Sequence, residues 1–256
     1  MKGFGVLLRK DLTEAWRTRR LPLIAILFVL VGLISPLTAK YLPEILKAAL
    51  GDQANGIPMP PADPAAAVGQ LQKNLGQLGA LAAIALAMSA VSGELDKGTA
   101  ALVLAQPVAR PAFLAAKLAA IAIVLAIATA LSVAVAWIYT VILFQMQPIG
   151  GWAVLFALNW LALLVWAAIT LWASSATGST TAAAGLGFVA LVALSVAAVI
   201  PPVEQWLPAG LTMPGLSIAV GTDVDGAKLA TAVAGSALLV AVGAIGSVAS
   251  FRRREL

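Results

Sequence analysis

Six apolar stretches, at approximately residues 21–38, 75–91, 118–144, 152–173, 180–200 and 229–250, leave this chain few ways to fold. At 1.5 Å per helical residue, about 20 residues cross the roughly 30 Å hydrocarbon core of a bilayer. Lipid offers backbone amides no partner, so such spans close their hydrogen bonds within a helix. Charged residues make up only 11% of the chain, against about 25% in soluble domains, and 61% of residues are hydrophobic. The expected fold is an all-α integral membrane protein with six transmembrane helices. About twenty mixed residues precede the first apolar run, and no small-residue cleavage pattern interrupts that run, so the first span is expected to be retained.

Six spans put both termini on one side. Assigning that side to the cytoplasm gives it twelve of the sixteen Lys and Arg residues; only Lys40, Lys47, Lys73 and Lys228 fall outside. Cytoplasmic segments carry such an excess, so both termini are read as cytoplasmic. The basic residues cluster at span ends rather than on an aromatic-interleaved soluble face, which argues against a nucleic-acid partner.

Residues 1–20 precede the first span. Phe4, Leu7, Leu8, Leu12, Ala15 and Trp16 recur at spacings of three and four, while Arg9, Lys10, Thr13, Glu14 and Arg17 take the opposite face. The pattern predicts an interfacial amphipathic helix whose cations meet anionic lipid head groups. Two outer loops, 39–74 and 201–228, are rich in proline, which is expected to break helices there. Within the second, the apolar run 207–220 is too short to cross and fits an interfacial or re-entrant helix. Residues 251–256 form a basic cytoplasmic tail. With no repeat and no attached soluble segment, 21–250 reads as one transmembrane domain.

No charge lies inside the spans away from their ends, which argues against ion-coupled transport by buried carboxylates. What remains is mild polarity. Ser35, Ser132, Thr170, Ser236 and Ser247 suit hydrogen bonds between helices. Asn159 stands out as a neutral amide in lipid and is the candidate pathway residue, although packing explains it more readily. Small residues recur along Ser236, Gly243, Ser247 and Ser250, and at Thr181 and Gly185. They allow close helix approach, to this chain or to a second copy.

Several chemistries are missing. No Lys precedes Ser or Thr, so no P-loop is present and this chain does not hydrolyse ATP through one. With neither His nor Cys, catalytic triads, HExxH sites and thiolate metal sites are excluded. The carboxylate pairs Glu94 with Asp96 and Asp223 with Asp225 lack a third ligand, so no metal site is expected. The chain is not expected to be an enzyme.

The inner loop 92–117 concentrates Glu94, Asp96, Lys97, Gly98, Thr99, Pro107, Arg110 and Lys117 between two spans. Gly93 and Gly98 bracket the charges, and residues 99–105 suit a short helix along the membrane before Pro107 and Pro111. Glu94, Gly98, Thr99, then Pro107, Val108, Ala109, Arg110 and Lys117 resemble the E-x-x-x-G-T … P-V-[SA]-R … K pattern of ABC-2-type transporter permeases. Ala109 stands where a small polar residue is frequent. The similarity extends to the LLRKDLTEAWRTRR start, the KNLGQLG before the second span and the FRRREL end. It implies a permease subunit in the cytoplasmic membrane of a prokaryote, paired with a second copy or a homologous permease. The same resemblance implies a separate ATP-binding cassette subunit, which would bind ATP and Mg and dock on the inner loop and N-terminal helix. No cofactor is expected in this chain. Export or mechanical movement of a substrate is the function implied; the alternative is a non-transporting membrane anchor or assembly factor that recruits a cytoplasmic partner.

Overall fold

The computed structural model describes residues 3–51, 61–96, 98 and 109–253; no strand occurs among them. Among the described residues, six helical segments are long and apolar enough to cross a membrane. In chain order the helices are α1 (Phe4–Arg17), α2 (Arg20–Leu50), α3 (Pro64–Asn74), α4 (Ala80–Met88), α5 (Ser92–Asp96), α6 (Arg110–Leu143), α7 (Ile149–Thr177), α8 (Thr180–Ala197), α9 (Pro201–Glu204), α10 (Thr212–Val220) and α11 (Gly226–Arg252). A π-turn, Leu75–Gly79, joins α3 to α4, so α3 to α5 act as one interrupted span; a 3-10 turn, Pro208–Leu211, leads into α10.

Local chemistry accounts for the ends of several helices. Asp63 caps α3 by accepting from the Ala66 amide at 2.7 Å, with Pro64 at the first helical position. Asp225 caps α11 through the amides of Ala227 and Lys228. Gly178, at φ 68°, ends α7 in the left-handed region, and Ser179 opens α8 directly after it.

The outer segment 39–74 departs from the loop expected there, because α2 runs on to Leu50 and α3 already starts at Pro64. Pro36 and Pro43 lie inside α2. Each removes only one hydrogen bond from a 31-residue helix, and membrane helices absorb such losses. At that length α2 is about 46 Å long, well beyond the hydrocarbon, so its Glu44 and Lys47 turns reach past the apolar layer. The run 207–220 is a short apolar helical segment, as expected, and packs against α7, α3 and α11 rather than lying alone.

Close backbone approaches hold the bundle. At Gly32 on α2, an added Cβ would collide with the Ser132 backbone of α6. At Gly243 on α11, it would lie 2.7 Å from the Ala168 carbonyl carbon of α7. Ser236 and Ser247 are buried on the same side of α11, so that small-residue stripe meets this chain's own α7. The Thr181 and Gly185 pair faces outward on α8, and a Cβ added at Gly185 would meet open space. Ala183 and Gly187 form the packed face of α8 instead, Gly187 against Thr170 and Ile84.

Candidate functional site

The first helix, the start of α6 and the end of α11 meet at one end of the bundle, the end richest in Lys and Arg. The apolar stripe of α1 is covered by protein: Leu7 is buried, and Phe4, Leu8, Leu12 and Ala15 pack on the core. Trp16, assigned to that stripe from its spacing, is 64% exposed. At about 100° per residue it lies about 40° beyond Leu12, the edge of the packed stripe, and a bundle covers less of a helix than a lipid surface would.

The same rotation turns one acid inward. Asp11 sits among the packed residues of α1, where its Oδ1 lies 2.9 Å from Lys117 Nζ of α6. Lys117 Nζ also lies 2.5 Å from Glu94 Oε1, and Lys10 Nζ approaches the same oxygen at 2.5 Å. The side chains of Lys117, Asp11 and Glu94 are 8%, 9% and 10% exposed, against 40% for Lys10. Two acids and two bases thus close a four-member network across α1, α5 and α6. Burial by itself would lower the Lys10 pKa; the hydrogen bond to Glu94 and the charges of Glu94, Asp11 and Glu14 outweigh that and raise it.

A break in the second span puts Glu94 there. After Met88 the helix stops, and Ser174 of α7 takes over the missing hydrogen bonds. Its Oγ donates to the Met88 carbonyl at 2.8 Å and accepts from the Ser92 amide at 3.1 Å. Ser92 is bonded in turn to Thr180 of α8 at 2.8 Å. The chain restarts as α5, offset from α4, with Glu94 turned into the bundle. Gly98, at φ 67°, follows α5 in a conformation that favours glycine.

Beside the network lies a cavity of about 360 Å³ that Glu14 and Arg20 also line. Carboxylate oxygens of Asp11, Glu14 and Glu94 lie within 4.8 Å of one another. Lys10 and Lys117 bond directly to the inner two of these acids and supply the countercharge, so the chemistry of the cluster is that of an ion-pair lock. Lys117 Nζ also stands 5.4 Å from the Phe113 ring centre, and Phe113 stacks on Phe251 at 5.6 Å. Arg110 Nη1 donates to the Arg252 carbonyl at 3.0 Å, placing a cation at the C-terminus of α11.

Of the residues singled out from sequence, Glu94, Lys117 and Lys10 therefore come together, with Glu14 beside them. Lys10 belongs to the polar face of α1, opposite the apolar stripe, but a four-carbon stem lets its amine reach back to Glu94. Arg9 and Arg17 are exposed on α1, and Asp96 and Gly98 are exposed beyond the network. Arg110 opens α6, and its guanidinium reaches the end of α11. Lys97, Thr99, Pro107 and the short helix expected at 99–105 lie outside the described residues. Asn159 lines a different cavity, and its amide nitrogen donates to the Leu155 carbonyl of its own helix at 2.9 Å. Sequence reasoning missed Asp11 and Ser174. Asp11 had a readable signal, because it interrupts the apolar series Leu7, Leu8, Leu12 and Ala15. Ser174 had none, since its partners are more than 80 residues away.

The multi-pass helical bundle, with a charged lock between an amphipathic first helix and its first inner loop, defines an integral membrane protein, and its family identifies it as a transporter's membrane subunit. The chain belongs to the ABC-2 family of transporter proteins, whose family model matches residues 6–207. It is also similar to the uncharacterized transmembrane protein YxlG of Bacillus subtilis (strain 168), at 28% identity over 215 residues that cover 82% of each chain. The membrane component of such a transporter is not itself the catalytic part, and a multi-pass protein of this kind fits a prokaryotic cell membrane.

Proposed function

We propose that this chain is the permease subunit of an ABC exporter, driven by a separate nucleotide-binding subunit that docks on its basic end, and that this end faces the cytoplasm. The observation that carries the reading is the buried network of Lys10, Asp11, Glu94 and Lys117. It joins the amphipathic helix, the base of the inner loop and the third span, so a push on the loop moves all three together. Force transmission needs such a rigid connection, because packed elements move as bodies. Asp96, Gly98 and the exposed cations Arg9 and Arg17 stand outside the lock, where a partner reaches them. ATP and Mg belong to that partner, and closure of two ATPase subunits would rock two permease chains against each other.

The test is co-purification in mild detergent with proteins encoded by neighbouring genes, followed by ATPase assays on the reconstituted complex. A Walker-A-bearing subunit should be recovered, with hydrolysis stimulated by the permease. Asp96→Arg should reduce that stimulation about tenfold, the loss of one to two charge-assisted contacts, without shifting the permease's unfolding midpoint. Recovery of a partner with no ATPase motif would instead favour a membrane anchor. Full stimulation of the variant would remove the inner loop from coupling.

A further inference from the structure

A groove of about 340 Å³ lies between α6, α7 and α11, apart from the ion-pair lock and from the cavity that Asn159 lines. Its floor is protein: Leu114, Leu164 and Leu171 are at most 9% exposed. Its walls, among them Leu118, Ala244 and Val248, are half-buried, so the groove is open to the membrane.

Length and depth match one leaflet. On α6 the groove extends from Pro111 to Ala122, and on the antiparallel α7 from Leu171 back to Trp160. At 1.5 Å per residue each run is about 16 Å, half of the roughly 30 Å hydrocarbon layer. Both runs start at the end of the bundle that holds the lock. The lining is equally specific. Its two polar side chains already bond to backbone: Trp160 Nε1 donates to the Ala122 carbonyl at 2.9 Å, and Ser247 Oγ donates to the Gly243 carbonyl at 2.8 Å. A guest meets hydrocarbon along the whole length, which suits an acyl chain.

The mouth is different. Val240, Ala244 and Val248 recur every four residues on α11, and one further turn along that face is Arg252. On α6, one turn before Leu114 is Arg110. Arg252 is exposed, and Arg110 Nη1 donates to its carbonyl at 3.0 Å, so two arginines of neighbouring helices stand together at the lock end of the groove. Guanidinium groups match phosphate in charge and geometry. No carboxylate occurs among the residues lining the groove, so nothing there favours the ammonium of a zwitterionic head.

We infer that this groove is a site for an anionic phospholipid of the leaflet on the lock's side, one acyl chain lying between α6, α7 and α11 and its phosphate meeting Arg252 and Arg110. A second copy seated there about a two-fold axis would set the two arginine pairs against each other at one level, so the charges favour lipid. The inference rests on the membrane fold alone and holds whether or not the chain couples to an ATPase.

Two photoreactive lipids test it, phosphatidylglycerol and phosphatidylcholine carrying the same diazirine-bearing acyl chain. Each is added in trace to the full-length protein in phosphatidylcholine nanodiscs, and the labelled peptides are mapped by mass spectrometry. The phosphatidylglycerol probe should label the groove peptides of α6 and α11 about fivefold more strongly than the phosphatidylcholine probe, the worth of one charge beside a basic surface group. Unlabelled phosphatidylglycerol should compete that labelling away. On the outward face of α8, where Val189 and Val192 are exposed, the two probes should label alike. Arg252→Gln keeps the carbonyl that Arg110 bonds and should reduce the groove's preference to about twofold. Ala244→Phe fills the groove from α11, and Ala119→Phe fills it from α6; either should abolish groove labelling and spare α8. Equal labelling of the groove by both probes, a preference that Arg252→Gln leaves intact, groove labelling that survives both filling variants, or groove labelling no stronger than that of α8, as a second copy seated there would give, would each overturn the inference.

Discussion

Replacing Lys117 by Met tests the ion-pair lock directly. Met is close in length and apolar, so the change removes the charge while filling most of the space. What it leaves behind decides the outcome. Asp11, 9% exposed, loses its 2.9 Å partner and keeps only Lys10 at 3.6 Å. Glu94 keeps Lys10 but loses its 2.5 Å contact with Lys117. Removing one partner of a buried pair costs about 3–5 kcal/mol. Lys10 is 40% exposed and can shift toward the orphaned acids, so the lower end applies, about 3 kcal/mol. That is roughly a hundredfold in the folding equilibrium. Equilibrium unfolding in mixed micelles, followed by fluorescence of the seven tryptophans, measures it. A second variant completes the test. Lys117→Met combined with Glu94→Gln leaves Asp11 with Lys10, one acid and one base. The loss in the double variant should therefore be at least about 1 kcal/mol smaller than the sum of the two single losses. A loss below about 0.5 kcal/mol for Lys117→Met, the range of ordinary surface changes, or strict additivity in the double variant, would refute the lock.

Two further outcomes follow from the same structure. Gly243→Ala puts a Cβ 2.7 Å from the Ala168 backbone and should destabilise by about 1–3 kcal/mol, whereas Gly185→Ala, with open space around it, should be neutral or stabilise by about 0.5–1 kcal/mol; the same unfolding assay ranks them. The Lys10 pKa is raised in the folded state, so its contribution is fully present below the ordinary lysine value of 10.5 and is lost as pH rises through the higher folded value. Stability measured from pH 9 upward should fall more steeply in the unaltered protein than in Lys10→Met, and parallel curves would refute the assignment.

Much of this architecture was legible in the chain itself. Six apolar runs fixed the spans, because hydrocarbon leaves a backbone no alternative to helix. The α1 amphipathic helix was equally plain from Leu7, Leu8 and Leu12. The extent of α2 was not, because proline is a weaker breaker where the surrounding helix is long and lipid-embedded. The site was legible only in part. Glu94 and Lys117 drew attention as charges at a span boundary, yet nothing local says that a charge turns inward. Asp11 was hidden by the assumption that the apolar face of α1 meets lipid.

The sequence by itself thus determined the solvent, the number of spans and the lack of a P-loop pattern, since these depend on composition and on short contiguous patterns. Only the tertiary structure decided which charges pair, because Lys10, Glu94 and Lys117 are 84 and 23 residues apart and meet through the break that Ser174 stabilises. It also decided which small-residue stripe packs within the chain and which faces outward. Pairing and facing are properties of helix rotation, and the rotation of each span is set by its neighbours, since lipid presses on every apolar side alike.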